Sequence, residues 1–162
     1  MNAEHFEGLF EAHAQPLFGF LLYRTGDRAL AEDLVGDTFE RIFASRRRYD
    51  PRRGSEKTWI YSVALNLLRD HMRRSQAEGR AVGRSEAGAV RVGGEAAFEA
   101  VDERDALTGA LARLAPEERE AIALRYGADL TMPEMARLLG EKLTTVDGRV
   151  HRALRKLRRE ME

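Results

Sequence analysis

"TMPEMARLLGEKLTTVDGRVHRALRKLRR", residues 131–159, holds two helical patterns parted by a glycine, and the second is strongly basic. In the first, Thr131 stands three residues before Glu134 with Pro133 between them, a capping box with proline in the first turn. Met135, Leu138 and Leu139 fall on the inward side. Ala136 is small enough for a partner helix to approach, and Gly140 suits a left-handed C-terminal cap. In the second, Val146, Val150, Ala153 and Leu157 recur at helical steps and turn inward, leaving Arg149, Arg152, Arg155, Lys156 and Arg159 largely outward. A helix, a glycine-containing turn and a basic helix form the arrangement that sets a second helix into the DNA major groove. An αα-hairpin with a solvated basic face would use the same residues, so this stretch alone leaves both open. Asp147 stands near the tip of the second helix. With Thr144 as N-cap, its carboxylate would offset the helix's orphan N–H groups; alternatively it could accept a bond from cytosine N4.

Upstream, Leu107, Leu111 and Leu114 mark one helical segment from about Ala106. Pro116 starts another that carries Ile122, Leu124 and Tyr126. Residues 75–94 contain five glycines and few large apolar groups, and read as a flexible linker that cannot bury enough surface to offset its ordering entropy. Before it, Phe6, Leu9, Phe10, Leu17, Phe20 and Leu21 recur as one helical stripe, broken at Gly26 and Asp27. A second helix is expected from about Ala29 to Ser45, burying Leu30, Leu34, Thr38 and Ile42. Asp33, Asp37 and Arg41 follow at steps of four as a polar row. A basic turn-rich connection, "RRRYDPRRGSEK" (46–57), leads to a third helix, "TWIYSVALNLLRDHMRR" (58–74). There Trp59, Ile60, Val63, Leu67 and Leu68 go inward, while Asn66, Arg69, Arg73 and Arg74 remain for the other side. No strand pattern of useful length and no repeat occurs. The expected fold is all-α: two small helical domains over 1–75 and 104–162, joined by a linker over 76–103, with the helix-turn-helix in the second.

The 162 residues carry 27 basic and 27 acidic side chains, so net charge alone argues against nucleic acid. Counted by segment, the charge is sorted. Residues 1–45 hold three basic and eight acidic groups, 46–57 six and two, 69–84 five and two, 95–120 three and eight, and 141–162 seven and four. Such stretches can neutralise phosphates locally while acidic ones face a basic partner. Ordinary solvated helix faces would have the same composition. No cysteine occurs, which removes disulfides and thiolate metal sites, and His5, His13, His71 and His151 lack ligand spacing, so no metal and no cofactor is expected. No apolar run approaches the length of a bilayer span, and a cytoplasmic protein is expected. No nucleophile–base pairing or phosphate-cradling glycine loop suggests an enzyme.

Both halves resemble one family, the bacterial RNA polymerase sigma factors of the extracytoplasmic-function (ECF) type. The resemblance is carried by "AEDLVGDTFERIF" (31–43) and "TWIYSVALNLLRDHMRR" (58–74) in the first half. In the second it is carried by "LARLAPEEREAIALRY" (111–126) and "EMARLLGEKLTTVDGRVHRALRKLR" (134–158). It implies a protein without an active site. The first domain would dock on the β′ clamp helices of core RNA polymerase through Asp33, Asp37 and Arg41, with Leu34 and Phe39 in support. It would capture the non-template strand of the −10 element with Tyr61, Asn66, Arg69, Arg73 and Arg74. The second would hold the β flap and read the −35 element with Thr144, Thr145, Asp147, Arg149, His151, Arg152 and Arg155. Partners would be core polymerase, promoter DNA and an anti-sigma factor. Gly36 departs from the family's usual glutamine, Glu141 from a buried isoleucine or valine, Lys142 from serine, and Asp147 and Gly148 from lysine and serine. Two other readings remain at this point: a free-standing helix-turn-helix regulator, and a sigma-derived interaction module that does not direct initiation.

Overall fold

The stripe from Phe6 to Leu21 folds as helix α1 (Ala3–Thr25), in which Leu9, Leu17, Phe20 and Leu21 are buried. Asn2 caps its start by accepting from the His5 N–H at 2.8 Å, and Gly26 ends it at φ 68. Pro16 lies inside this helix and supplies no N–H to the ladder. Burial of the side chains around it outweighs that local cost. In the computed structural model, which describes residues 1–81 and 101–162, α2 (Arg28–Ala44) follows directly, capped by Asp27 accepting from Leu30 N–H at 3.1 Å. Two 3₁₀ turns, Arg46–Arg48 and Pro51–Arg53, carry the basic connection to α3 (Glu56–Ala81).

Helix α3 begins two residues earlier and ends later than the sequence pattern suggests, continuing through residues expected to belong to the linker. The helix formers Gln76, Ala77 and Glu78 favour that continuation, and a single glycine does not stop it. Residues 82–100 of the expected linker lie outside the described residues, and its last three residues already belong to the next helix. The second half comprises α4 (Val101–Ala112), α5 (Pro116–Ile122), a π-helical turn (Ala123–Gly127), α6 (Met132–Leu139) and α7 (Leu143–Met161). No strand occurs among the described residues.

Two helical groups form, as expected, but they do not stand apart. One hydrophobic core runs from Phe20, Ile42, Ile60 and Leu68 of the first half into Leu124, Leu130, Met135, Val146 and Val150 of the second. Helix α1 meets the π turn, and α3 meets α6. The closest seat is between two glycines: a Cβ on Gly19 would fall 2.7 Å from the Gly127 carbonyl oxygen, and one on Gly127 would fall 2.8 Å from that of Gly19. Only residues without a side chain let the two backbones approach so closely. A smaller core of Leu111, Leu114, Ile122 and Ala153 fixes α4 and α5 on α7.

Candidate nucleic-acid and polymerase interfaces

On α2, Asp33, Asp37 and Arg41 are exposed, while Leu34, Thr38, Phe39 and Ile42 beneath them are buried. Thr38 satisfies its hydroxyl by donating to the Leu34 carbonyl at 2.7 Å, so the underside stays in register without exposing a polar atom. Phe39 packs edge-on against Phe6 and Phe10, extending the rigid backing into α1. The outcome is a polar row held on a fixed platform.

Helix α3 presents Asn66, Arg69, Arg73 and Arg74 to solvent. Tyr61, expected beside them, requires correction: it is fully buried, edge-on to Phe20 at 5.8 Å, and its hydroxyl has no partner among the described residues. Burial, with the Glu134 charge, pushes that hydroxyl well above its ordinary value. A tyrosine at that register falls on the core side, because α3 packs on α2 and also meets α6, with Phe20 of α1 edge-on to the ring. The aromatic surface lies at the start of α3 instead, where the Trp59 and Tyr49 rings stack with centroids 4.9 Å apart. Trp59, expected in the core stripe, is only half-buried.

The two halves also share ion pairs. Arg69 donates to Glu120 at 3.1 Å, and Arg24 lies 3.8 Å from the same carboxylate. Lys57 donates to Glu134 at 3.3 Å. Glu134 thereby does double duty, since it also closes the capping box: Thr131 N–H donates to it at 2.9 Å and its own N–H reaches Thr131 Oγ1 at 3.2 Å. A cleft of about 390 Å³ between the halves is lined by Arg24, Arg69, Arg73, Glu117 and Glu120, among others.

The helix-turn-helix folds as its sequence indicates, with Gly140 at φ 66 ending α6. Its recognition helix departs in one respect: Lys142, not Thr144, is the N-cap, and it offers no side-chain bond. Asp147 therefore lies in the second turn rather than over the orphan N–H groups, so of its two possible roles the helix-end one does not apply. Thr144, Thr145, Asp147, His151, Arg152 and Arg155 are exposed. Arg149 is not: it binds Glu141 through both terminal nitrogens at 2.8 and 2.7 Å. This pair, the glycine seat and the ion pairs between the halves had no signal in local periodicity. An acidic residue after Gly140 with an arginine two turns on was the nearest hint.

Glu134 is held below the ordinary carboxylate range first by the Thr131 N–H and then, against its partial burial, by Lys57. Glu141 is lowered first by the hydrogen bonds from Arg149. Both folded-state values lie below the unfolded 4.5, so their stabilisation is complete above about that pH and fades as pH falls through the lower folded value. The thermal midpoint is expected to drop below about pH 4.5, and Glu134→Gln/Glu141→Gln to flatten that drop. Parallel wild-type and variant curves between pH 7 and 3 would refute the assignment.

Residues 9–78 match Sigma-70 region 2, and residues 104–157 match Sigma-70, region 4. The chain is 33% identical to the RNA polymerase sigma factor CarQ of Myxococcus xanthus, over 94% of this chain and 87% of CarQ. It is 31% identical to the ECF sigma factor RpoE of Cereibacter sphaeroides, over 96% and 86%. Against the ECF sigma factor BldN of Streptomyces coelicolor it is 27% identical over 98% of this chain but spans only 61% of the relative. In fold it superposes on the sigma factor RpoE of Bartonella quintana, solved with the anti-sigma factor NepR, with a TM-score of 0.83 at 23% identity over 98% of both chains. It also superposes on CnrH, solved with the cytosolic domain of CnrY, with a TM-score of 0.67 at 24% identity over 96% and 86%.

The chain belongs to the sigma-70 family of RNA polymerase sigma factors, in its extracytoplasmic-function branch. Members bind core RNA polymerase and direct it to promoters, and that is the function of this chain. A free-standing helix-turn-helix regulator would not account for the match over residues 9–78.

Proposed function

We propose the following division of labour along the chain. Helix α2 docks on the β′ clamp helices of core polymerase through Asp33, Asp37 and Arg41, with Leu34 and Phe39 holding the row in place. Asn66, Arg69, Arg73 and Arg74 of α3 engage the separated −10 strand, where cations meet phosphates and the amide meets a base. Helix α7 lies in the −35 major groove, with Thr144 and Thr145 near its entering end and Asp147, His151, Arg152 and Arg155 along its outer face. Arg149, held by Glu141, braces the start of the same helix rather than touching a base. The second half also contacts the β flap, and the polymerase supplies the chemistry while this chain supplies none.

The observation that carries this reading is the exposed Asp33–Asp37–Arg41 row above a buried Leu34–Phe39 platform. A polar row that none of its own chain's described side chains pairs with suits a charged helical partner. The superposition on two sigma factors solved with anti-sigma partners supports restraint of this chain by a comparable protein. No described helix is long and apolar enough to cross a membrane, which accords with action beside the polymerase in the cytoplasm.

The test is run-off transcription by purified bacterial core polymerase, with and without the chain, on upstream regions of its own genome. Initiation at a defined subset is expected. Tight core binding without initiation would overturn the promoter-reading half of the proposal, and absence of core binding would overturn the docking half.

A further inference from the structure

Glu141 and Arg149 face each other across the turn of the helix-turn-helix. The Glu141 N–H donates to the Ala136 carbonyl at 3.0 Å, closing the end of α6, while its carboxylate takes both Nη groups of Arg149 at 2.8 and 2.7 Å. A fork-to-fork pair fixes the plane of the guanidinium as well as its position. The Arg149 side chain is only 18% exposed. Guanidinium is the group best matched to guanine, whose O6 and N7 accept two parallel bonds. Here the Nη1–Nη2 edge, two of the five N–H donors, is already engaged, and the rest of the side chain is largely covered.

The outer face of α7 has the opposite hydrogen-bonding character near its N-terminal half. The Asp147 and His151 side chains are 51% and 61% exposed, one helical turn apart. His151 Nδ1–H donates to the Asp147 main-chain carbonyl at 2.8 Å. Since a carbonyl only accepts, Nδ1 carries a proton, and whenever the ring is neutral Nε2 is left as an acceptor. The Asp147 carboxylate, 3.5 Å from the same Nδ1, also only accepts. Two acceptors with Cβ atoms about 6 Å apart match base edges that donate. In the major groove those are the N4 amine of cytosine and the N6 amine of adenine; guanine offers only acceptors there. Exposed Lys142, Arg152 and Arg155 supply the phosphate attraction that lets a carboxylate approach the groove.

We propose that α7 selects donor-bearing base edges through Asp147 and His151, and that Glu141 is a positioning residue that withholds Arg149 from guanine while bracing the turn. The inference rests on α7 being the −35 reader.

The experiment uses the full chain assembled on core polymerase and a promoter duplex library randomised across the −35 region, with retained duplexes sequenced. Cytosine or adenine is expected at two positions on the strand facing Asp147 and His151. Asp147→Ala should flatten one of these preferences by about fivefold to a hundredfold. Glu141→Gln should release Arg149 and add a guanine preference, which Glu141→Gln/Arg149→Ala removes again. Arg149→Ala alone should leave the slope of log affinity against log salt unchanged, whereas Arg152→Ala should lower it by about one. Wild-type selection of guanine that Arg149→Ala abolishes would overturn the inference, as would a slope lowered by about one in Arg149→Ala. If Arg149→Ala fails to fold, the presence or absence of the guanine gain in Glu141→Gln decides. Retention with no −35 preference in the wild type would overturn the assignment of α7 as reader, and the inference with it.

Discussion

Gly19→Ala is expected to lower the thermal midpoint and part the two halves, whereas Gly8→Ala in the same helix is expected to raise the midpoint. In an ordinary helix interior alanine is favoured over glycine by up to about 1 kcal/mol, and at Gly8 nothing lies within 4 Å of a new Cβ. At Gly19 that Cβ would sit 2.7 Å from the Gly127 carbonyl oxygen, and the obstacle is backbone rather than a side chain that can swing away. Overpacking of this kind costs about 1–3 kcal/mol, more than the propensity gain. For a chain of this size the midpoint should fall by about 2–10 °C. Small-angle scattering should show a larger radius, and Arg69 should lose Glu120 and become available to a phosphate. An unchanged radius with a raised midpoint would show that the glycine seat does not govern the arrangement of the halves.

Replacing Asp33 and Asp37 together by alanine should weaken binding to core polymerase by about 2 kcal/mol or more, roughly thirtyfold in Kd. Both carboxylates are exposed, so their removal leaves no unpaired buried group and little effect on stability is expected. The loss should shrink as salt rises, since exposed charges are screened over about 8 Å at physiological ionic strength. Wild-type affinity in the double variant at low salt would remove this row from the polymerase interface. Gly36 lies on the same exposed side, with nothing within 4 Å of an added Cβ, so Gly36→Gln can be compared directly in the same assay.

Both predictions concern features that local sequence reading reaches unequally. The polar row was legible because i, i+4 spacing places side chains on one face whatever the rest of the chain does. The same logic located α6 with its Thr131–Glu134 box and its Gly140 cap, and the buried faces of α2 and α7. It put Tyr61 on the wrong side because periodicity tells which residues share a face, not how many faces are covered. Helix α3 packs against α2 and also meets α6, so a second flank of it is closed to solvent. The start of α7 at Lys142 rather than Thr144 is set by the turn that Gly140 and Glu141 form, over threonine's capping preference.

By itself the sequence determined the helices, their inward stripes, the helix-turn-helix and the family, all of which depend on spacings of a few residues or on ordered motifs. Tertiary structure alone decided that the halves share one core, that Gly19 and Gly127 meet, that Glu120 takes Arg69, and that Glu141 takes Arg149. Those contacts join groups on different elements, and their distances are fixed by how the helices pack, which no local period encodes.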